Sequence, residues 1–169
     1  MAPKLLSQNL LEIVDLNQKV FIGFSGGPDS SALLHLVSKV DSKFLDNIKA
    51  IHINHNLSKN SSAWVEHCKD FCSKCNIDLI IESVHISSDG GGIESAARRA
   101  RFEVFKNIIE ENNQILLGHH SDDAAETILM RLLRGTGVDG LNGIEQNRKL
   151  GSGRLIRPFL DIPKKEILN

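Results

Sequence analysis

The glycine-rich segment 21–31 constrains the fold of this chain more than any other part of the sequence. Its first four residues are mostly apolar and predict a buried strand, and a helix is predicted to begin near Ser30. A strand that turns through glycines into a helix directs backbone N–H groups and a helix N-terminus at one point, which favours an anion. Gly26 and Gly27 allow positive φ and let a phosphate approach the backbone closely.

The polar side chains of this segment favour a phosphate as the anion. Ser25, Ser30 and Ser31 supply hydroxyl donors beside the glycines. Asp29 would repel an anionic ligand unless a cation lay between them, so Mg²⁺ is expected there. The segment is not a Walker A loop, because no lysine follows the glycines, and it is not a dinucleotide G-x-G-x-x-G motif. The alternative is an ordinary strand-to-helix turn that Asp and Ser residues cap.

Apolar strands alternate with helices along the rest of the chain. Strands are predicted at 19–24, 48–53, 77–84, 115–118 and 155–157, and helices at 4–15, 30–40, 61–75, 93–111 and 122–134. This alternation predicts an α/β fold, a doubly wound and mainly parallel sheet with helices on both faces. Ligands of such folds bind beyond the carboxyl ends of the strands. Segment 135–143 is read as a glycine-rich connection, and Pro163 as the start of another helix.

The composition is that of one globular domain. The chain has 169 residues, of which 41% are hydrophobic and 24% charged, and no apolar run is long enough to span a membrane. Three closely spaced cysteines, Cys68, Cys72 and Cys75, do not form a disulfide framework and indicate a reducing cytoplasm. They share one helical stripe, which core packing explains, and a metal or iron–sulfur site is the alternative.

The formal net charge of −1 does not by itself indicate nucleic-acid binding, but basic residues cluster locally. The clusters are Arg98, Arg99 and Arg101, then Arg131 and Arg134, then Arg148, Lys149, Arg154, Arg157, Lys164 and Lys165. Such patches can bind phosphates, or they can be solvated surface.

Segment 118–127 is the second polar cluster at a predicted strand end. Ser121 is placed at the cap of the helix that follows, with acidic residues in its first turn. Asp122 and Asp123 each share a helix face with Glu126. These carboxylates could hold Mg²⁺ across from the glycine-rich turn, or accept a proton from an attacking amine. The alternative is a helix start stabilised by its acids.

Two further groups lie at predicted element ends. Arg98 and Arg101 are three residues apart on one helix face, and arginine forks suit phosphate or a developing negative charge. The second strand ends near His52 and His55, where a histidine could lie beside a nucleotide. Two histidines do not complete a zinc site, and a polar strand end is the alternative.

Taken together, these segments resemble the PP-loop ATP pyrophosphatases, and closely the bacterial tRNA(Ile)-lysidine synthetases. The matching residues are 25–30, 50–57, 94–102, 119–127, 130–137 and 157–160. The first motif is shared by many ATP-splitting ligases. The pattern D-D-x-x-E-T followed by R-L-L-R-G-T-G is much more specific to the lysidine enzymes.

The resemblance implies an adenine nucleotide alpha hydrolase-like fold and the reaction of that family. ATP adenylates the carbonyl at carbon 2 of the wobble cytidine in a tRNA(Ile) with a CAU anticodon, and pyrophosphate leaves. The ε-amine of free L-lysine then displaces AMP to give lysidine. The resemblance also implies a cytoplasmic enzyme that uses ATP and Mg²⁺, needs no membrane, and is compatible with a homodimer.

The resemblance assigns catalytic roles to five residues of this sequence. Asp29 and Asp123 would bind Mg²⁺, and Asp123 with Glu126 would handle the lysine amine. Arg98 and Arg101 would contact ATP phosphate or the adenylate.

It also assigns binding roles. The residues implied to bind the nucleotide are Ser25, Gly26, Gly27, Asp29, Ser30, His52 and His119. Arg131 and Arg134 would face the tRNA or the site. Residues 1–169 would form the N-terminal PP-loop catalytic domain, while the later tRNA-gripping domains of the family are not in this chain.

The second motif departs from the family pattern V-D-H-G-L-R. Asn54 replaces the acid, Asn56 the glycine and Ser58 the arginine, so contacts of that acid and arginine are not carried over. Two alternatives are a tRNA 2-thiolation enzyme of the same superfamily and a nucleotide-binding module without catalysis. The first usually needs cysteines near the site, for which the cysteine helix is judged badly placed; the second has no use for Asp123 and Glu126 together.

Overall fold

The computed structural model describes residues 10–57, 60–86, 92–135 and 143–167. The strands are β1 (Val20–Gly23), β2 (Ile48–Asn54), β3 (Asp78–Ser83), β4 (Gln114–Leu116), β5 (Asn147–Leu150) and β6 (Gly153–Ile156). The helices are α1 (Pro28–Val37), α2 (Ser61–Lys74), α3 (Ile93–Ile108), α4 (Ser121–Leu133) and α5 (Lys164–Ile167), with a 3-10 helix at Ser42–Asn47.

The strands form one six-stranded sheet in the order β3-β2-β1-β4-β6-β5. All neighbours pair in parallel except β5 and β6, which pair antiparallel. The predicted doubly wound, mainly parallel sheet is therefore confirmed. The chain order reverses direction between β1 and β4, and such a switch point opens a crevice at the carboxyl ends of the strands.

The hairpin at the sheet edge corrects the sequence analysis. A single strand was predicted at 155–157, whereas β6 ends at Ile156 and pairs with β5, which was not predicted. In β5, three of the four residues are polar, and only Leu150 is buried. An edge strand with this composition carries little apolar alternation, so the sequence pattern does not distinguish it from a loop.

Both faces of the sheet are covered by apolar packing, which is why the central strands are buried on both sides. On one face Ile22, Ala50 and Leu116 pack with α1, α2 and Ile167 of α5. On the other face Ile51 and Ile115 and their neighbours pack with α3. The two packed layers fix the carboxyl ends of β1, β2 and β4 relative to the helices that follow them.

The observed boundaries differ from the predicted ones mainly at helix ends. Helix α1 begins at Pro28, two residues before the predicted start, because Gly27 is its N-cap and Pro28 is suited to the first helical position. In the predicted helix 4–15, residues 10–13 are helical, and residues 1–9 lie outside the described part of the chain. The predicted connection 135–143 also lies mostly outside it, at 136–142.

Within the described ranges, none of the helices has the length and apolar character needed to cross a bilayer.

Candidate functional site

The glycine-rich turn between β1 and α1 is held in shape by its own serines. The Oγ atoms of Ser25 and Ser30 lie 3.0 Å apart, and the Ser30 hydroxyl donates to the Gly27 carbonyl at 3.0 Å. The Gly27 N–H points to the Ser25 Oγ at 3.3 Å. Gly26 has φ +80°, a conformation that favours glycine. These residues, predicted to bind phosphate, are brought together at one turn and at the N-terminus of α1.

Helix α2 fixes this turn from one side. Trp64 donates from Nε1 to the Ser25 carbonyl at 2.7 Å. A Cβ atom added to Gly26 would lie 2.9 Å from the Cys68 Sγ and 3.1 Å from the Trp64 Nε1. The space behind Gly26 is therefore filled by Cys68 and Trp64, and this packing restrains the turn from moving towards α2.

His52 lies beneath the same turn and is buried. Its Nδ1 is 2.9 Å from the Phe24 carbonyl oxygen and 3.4 Å from the Cys68 Sγ. The sequence analysis placed His52 beside the nucleotide. It does line the cavity described next, but its Nδ1 supports the end of β1.

A cavity of about 580 Å³ opens beyond the ends of β1 and β2. Its walls include Phe24, Ile53, Trp64, Arg101 and Phe105, and Ser25 lies at its border. Its size and its mainly apolar lining with a few polar groups are typical of a small-molecule site. A nucleoside seated there would place its phosphates at the glycine-rich turn.

Two polar groups in this cavity wall have buried atoms without hydrogen-bond partners among the described residues: the Nδ1 of His55 and the Nε of Arg101. Burial, followed by the charge of Arg98, lowers the pKa of the Arg101 guanidinium. Burial, followed by Arg101 and His52, lowers the pKa of His55. Buried polar atoms of this kind cost free energy unless a ligand satisfies them. The Arg101 Nε–H is suited to an anionic ligand, and the His55 Nδ1 to a polar one.

The second motif begins α4, with a cap that differs from the predicted one. His120, not Ser121, is the N-cap residue. The Nδ1 atom of its ring accepts a hydrogen bond from the backbone N–H of Asp123 at 3.4 Å. The backbone N–H of His120 donates to the Asp123 Oδ2 at 2.9 Å. An imidazole can serve as a cap acceptor as a serine does, but histidine is not among the residues usually preferred there. Ser121 is the first residue of the helix.

The imidazole of His120 lies between the two carboxylates that were predicted to bind metal. Its Nε2 is 3.7 Å from the Asp29 Oδ2, and its Nδ1 is 3.4 Å from the Asp123 Oδ2. Asp29 is in α1 and Asp123 in α4, which follow β1 and β4. The fold therefore brings the glycine-rich turn and the second motif together through one buried histidine.

Gly118 permits this close approach. A Cβ atom added there would lie 2.9 Å from the Asp29 carbonyl oxygen and 3.3 Å from the Ser30 backbone nitrogen. Backbone atoms cannot move aside as a side chain can, so the segment after β4 packs directly on the start of α1.

The carboxylate of Asp29 has two different oxygens. Oδ2 accepts a hydrogen bond from the Lys164 Nζ at 3.1 Å. Oδ1 is buried and has no hydrogen-bond partner among the described residues. Mg²⁺ is commonly held by one or two carboxylates together with substrate phosphates, so Asp29 fits such an ion. Within the described ranges, no group of three or more His, Cys, Asp or Glu residues could hold a metal alone.

His119 and Arg157 form a hydrogen-bonded pair in which Arg157 is buried and His119 is half-buried. The Arg157 Nε donates to the His119 Nδ1 at 3.2 Å, and its Nη1 donates to the Glu145 carbonyl. Burial, followed by the charge of Arg157, lowers the pKa of His119 to about 4. Burial, followed by Arg148, lowers the pKa of Arg157 to about 10. His119 is therefore neutral at pH 7, and it orients a buried cation near the site.

Positive charge continues across the outer face of α3. The Arg98 and Arg148 guanidinium carbons lie 5.4 and 5.1 Å from the centroid of the Phe102 ring. Both arginines also influence the pKa of Arg157. Arg98 and Arg101 are on neighbouring positions of one helix face, as the sequence indicated. The arrangement is suited to an anionic ligand at this side of the site.

Three predicted site residues of this part of the chain, Glu126, Arg131 and Arg134, have no contact with the glycine-rich turn among those that the structure describes. Glu126 is exposed on α4, one turn beyond Asp123. Arg131 donates to the Gly143 carbonyl at 3.1 Å, and Arg134 follows the end of α4 as an exposed residue. At a rise of 1.5 Å per residue, Arg131 is about 12 Å further along the helix than Asp123. The arginines can meet only a ligand that extends along α4.

The asparagines that replace the family's acid and glycine at the end of β2 form a local turn. Asn56 has φ 53°, a left-handed conformation that asparagine tolerates better than most residues and that glycine adopts freely. The Asn54 Oδ1 accepts the Asn56 N–H at 3.0 Å. An amide can therefore form this turn in place of an acid. Ser58 lies outside the described residues.

The cysteines were predicted to be core residues, and two of them are. Cys68 and Cys72 are buried in the main core. Burial raises the pKa of Cys68 to about 11 and that of Cys72 to about 12, the latter with contributions from the other cysteines. Contrary to the expectation that this helix is badly placed, Cys68 lies directly behind Gly26. It is a buried, protonated thiol and therefore a poor nucleophile.

Sequence reasoning missed Lys164 and Trp64 as contacts of the turn. It placed Arg157 in a basic cluster and in a family motif but assigned it no role in the site. Lys164 is 135 residues from its partner Asp29, and no local pattern connects the two. Trp64 shares a helix face with Cys68, so the sequence pattern alone assigns it to core packing and carries no signal for its contact with the turn.

Comparisons with known proteins agree with this geometry. The family model described as PP-loop domain matches residues 4–169. The chain is 40% identical over 167 residues to tRNA(Ile)-lysidine synthase of Legionella pneumophila (strain Lens), covering 99% of this chain and 38% of that protein. It is 42% identical over 147 residues to the protein of the same name from Pseudomonas fluorescens (strain Pf0-1), covering 86% and 33%. The chain thus spans little more than a third of these relatives.

A solved structure shares the fold. The U34-tRNA thiolase NcsA from Methanococcus maripaludis, solved with its [4Fe-4S] cluster, superposes with a TM-score of 0.74 at 21% identity. The match covers 99% of this chain and 61% of that one. At this identity the likeness supports the architecture alone.

Proposed function

The chain belongs to the PP-loop domain family, and we propose that it is the ATP-binding catalytic part of a tRNA(Ile)-lysidine synthetase. In the proposed reaction, oxygen 2 of the wobble cytidine in a tRNA(Ile) with a CAU anticodon attacks the α-phosphorus of ATP, and pyrophosphate leaves. The ε-amine of free L-lysine then attacks carbon 2, AMP leaves, and lysidine is formed. Adenylation turns a poor leaving oxygen into a good one.

One observation carries the proposal: His120 lies between Asp29 of the glycine-rich turn and Asp123 of the second motif. The first motif alone would support any ATP-splitting enzyme. A second carboxylate in the same site supports chemistry on an amine, because the lysine ammonium must lose a proton before it attacks. The identity of about 40% to lysidine synthases of two bacteria supports the same assignment.

The turn would hold the phosphates of ATP. The N–H groups at the start of α1 and the hydroxyls of Ser25 and Ser30 are suited to this, and Gly26 and Gly27 leave room for close approach. The cavity beyond β1 and β2 would hold the nucleoside, beside His52. Asp29 would hold Mg²⁺ through its Oδ1, and the bound ion would neutralise phosphate charge. Asp123, the second proposed ligand, is separated from Asp29 by the His120 imidazole.

The cationic side of the site would face the charge that develops during the reaction. Arg98 and Arg101 would contact ATP phosphate or the adenylate, and His119 would orient Arg157 there. Asp123 and Glu126 would receive the lysine amine. The exposed position of Glu126 is compatible with a substrate that enters from solvent.

The tRNA would extend over the basic residues outside the nucleotide cavity. Arg131 and Arg134 lie along α4, and Arg98 and Arg148 lie along α3 and β5. A cytoplasmic location belongs to the same proposal, since free lysine, ATP and tRNA are its substrates. The homodimer that the family resemblance allows is part of the proposal as well.

A 2-thiolation enzyme is the alternative within the superfamily. Its chemistry needs reactive cysteines, and the raised pKa values of Cys68 and Cys72 disfavour that role for them. A nucleotide-binding module without catalysis would not need Asp123 beside Asp29.

The proposal is tested by incubating the longest form of the protein with ATP, tRNA(Ile) with a CAU anticodon and labelled lysine. The expected result is label in the tRNA, dependent on ATP. A tRNA whose CAU anticodon is changed at the wobble base serves as the matched control and should remain unlabelled. Pyrophosphate release without incorporation of lysine would indicate another member of the superfamily.

A further inference from the structure

Lys164 contacts the glycine-rich turn although it lies 135 residues after Asp29 in the sequence. Its Nζ donates to the Asp29 Oδ2 at 3.1 Å, and the side chains of Lys164 and Asp29 are 41% and 27% exposed. The ion pair is therefore at the border of the site rather than on open surface.

The position of Lys164 is fixed by apolar anchors on both sides. Ile162 and Ile167 are buried in the main core. The Ser121 N–H donates to the Ile162 carbonyl at 3.1 Å, which ties this segment to the start of α4. With its backbone held, Lys164 can move only its flexible side chain, and the ammonium stays within reach of the turn.

Lys164 supplies a positive charge that the glycine-rich turn lacks. The glycine-rich segment contains no lysine of its own, and it carries a carboxylate where an anion would bind. An ammonium has three N–H donors. Among the described residues, the Lys164 ammonium donates to Asp29. Its other N–H groups are left for a ligand.

We propose that Lys164 binds the pyrophosphate end of ATP, with its ammonium shared between Asp29 and a phosphate oxygen. The inference rests on the proposed function, because it assumes that the turn holds ATP. Lys164 would thus supply the point charge that a lysine within the loop supplies in Walker proteins. No covalent step involves Lys164.

Lys165 is a matched control. It is the next residue, carries the same charge, and is exposed. Within the described ranges it has no ion pair with Asp29. Lys165 therefore contributes a similar long-range positive charge but does not make the contact that Lys164 makes.

The test is calorimetric titration of the longest form of the protein with magnesium pyrophosphate and, separately, with adenosine. Lys164→Met keeps the apolar stem and should weaken pyrophosphate binding at least about tenfold, the size expected for one charge-assisted hydrogen bond. Lys164→Arg should retain most of the affinity, and Lys165→Met should remain within about twofold. Adenosine binding should be unchanged in all three variants.

Two results would overturn the inference. Pyrophosphate affinity of Lys164→Met equal to that of the parent would show that the ammonium does not touch the ligand. Equal loss of pyrophosphate and adenosine affinity, with a lower thermal midpoint, would show that the ion pair only holds the fold. A parent protein that binds neither probe contradicts the ATP site itself, whereas normal probe binding without lysine transfer contradicts only the proposed reaction.

Discussion

Asp29 is the side chain at which the two halves of the site meet. Lys164 and His120 approach its Oδ2, and its Oδ1 is buried without a partner among the described residues. Single polar groups likewise fix the backbone conformation at two other strand ends. Asn54 does so through its bond to Asn56 after β2, and His120 does so as the cap of α4.

Substitution of Asp29 by Asn keeps the size of the side chain and removes its charge. We predict that tRNA-dependent pyrophosphate release falls by on the order of 100-fold, because asparagine would hold the proposed Mg²⁺ less tightly than aspartate and the phosphate charge would then be less well neutralised. The thermal midpoint should change little, since a partly exposed ion pair contributes about 1 kcal/mol at most. Asp46→Asn, at an exposed position, should behave as the parent. Unimpaired release in Asp29→Asn would remove Asp29 from the mechanism.

His119 gives the fold a pH dependence. Its pKa is about 4 in the folded protein, lowered from 6.5 mainly by burial and then by Arg157. The unfolded chain therefore binds an extra proton between these values. The stability that this group contributes is complete above about pH 6.5 and is lost as the pH falls towards 4, with a slope of at most about 1.4 kcal/mol per pH unit.

Urea unfolding of the parent and His119→Gln at pH 7.0, 5.5 and 4.5 checks this expectation. Glutamine can still accept from Arg157 but does not titrate. The variant should lose less free energy of unfolding than the parent on acidification. Parallel losses in both proteins would show that His119 does not carry the effect.

Local chemistry at single residues is visible in the sequence. The residues of the turn, Asp29 and Asp123 were predicted as candidates because glycines, hydroxyls and acids at strand ends have recognisable spacing, and the structure brings them near one another. Lys164 was not found, since its contact depends on two segments 135 residues apart. The cap was assigned to Ser121 because serine has the higher cap preference, whereas the adjacent His120 also reaches Asp29.

At the scale of elements, the site depends on how closely β4 and α1 approach. Gly118 lies where a Cβ atom would meet the backbone of Asp29 at 2.9 Å. We predict that Gly118→Ala lowers the free energy of unfolding by about 1–3 kcal/mol, the usual cost of overpacking. Gly118→Ser adds the same Cβ atom and should cost at least as much. Denaturant titration measures both, and stability equal to the parent would show that the segment can move apart.

The strands and helices themselves were largely predictable. Apolar runs and helical periodicity located strands β1 to β4 and helices α1 to α4 to within about three residues. The β5–β6 hairpin was not recognised, because only Leu150 of β5 is buried. The strand order was not predictable from local pattern, since it depends on which apolar faces meet.

At the scale of the whole molecule, charge is distributed unevenly. The formal net charge is −1, yet Arg98, Arg101, Arg148 and Arg157 gather at one side of the site. Local potential rather than net charge decides whether a polyanion is attracted. The composition alone could not predict this, because it does not say which arginines are neighbours.

Arg148→Ala tests whether this side contacts the tRNA. We predict that affinity for tRNA(Ile) falls several-fold and that the dependence of log affinity on log salt loses roughly one ion. Arg154→Ala is the matched control, because Arg154 is exposed and precedes Leu155, the partner of Arg148, so that its side chain points to the opposite face of the sheet from Arg148. Filter binding at several salt concentrations measures both. Equal affinities for the two variants would place the tRNA elsewhere.

The central claim is that this site splits ATP between its α- and β-phosphates in response to tRNA(Ile). The most direct measurement uses ATP labelled at the α-phosphate with the longest form of the protein and separates the labelled products. We expect labelled AMP and an equal amount of pyrophosphate to accumulate over repeated turnovers only when lysine and tRNA(Ile) with a CAU anticodon are both present. Labelled ADP with inorganic phosphate, or AMP formed at the same rate without tRNA, would contradict it.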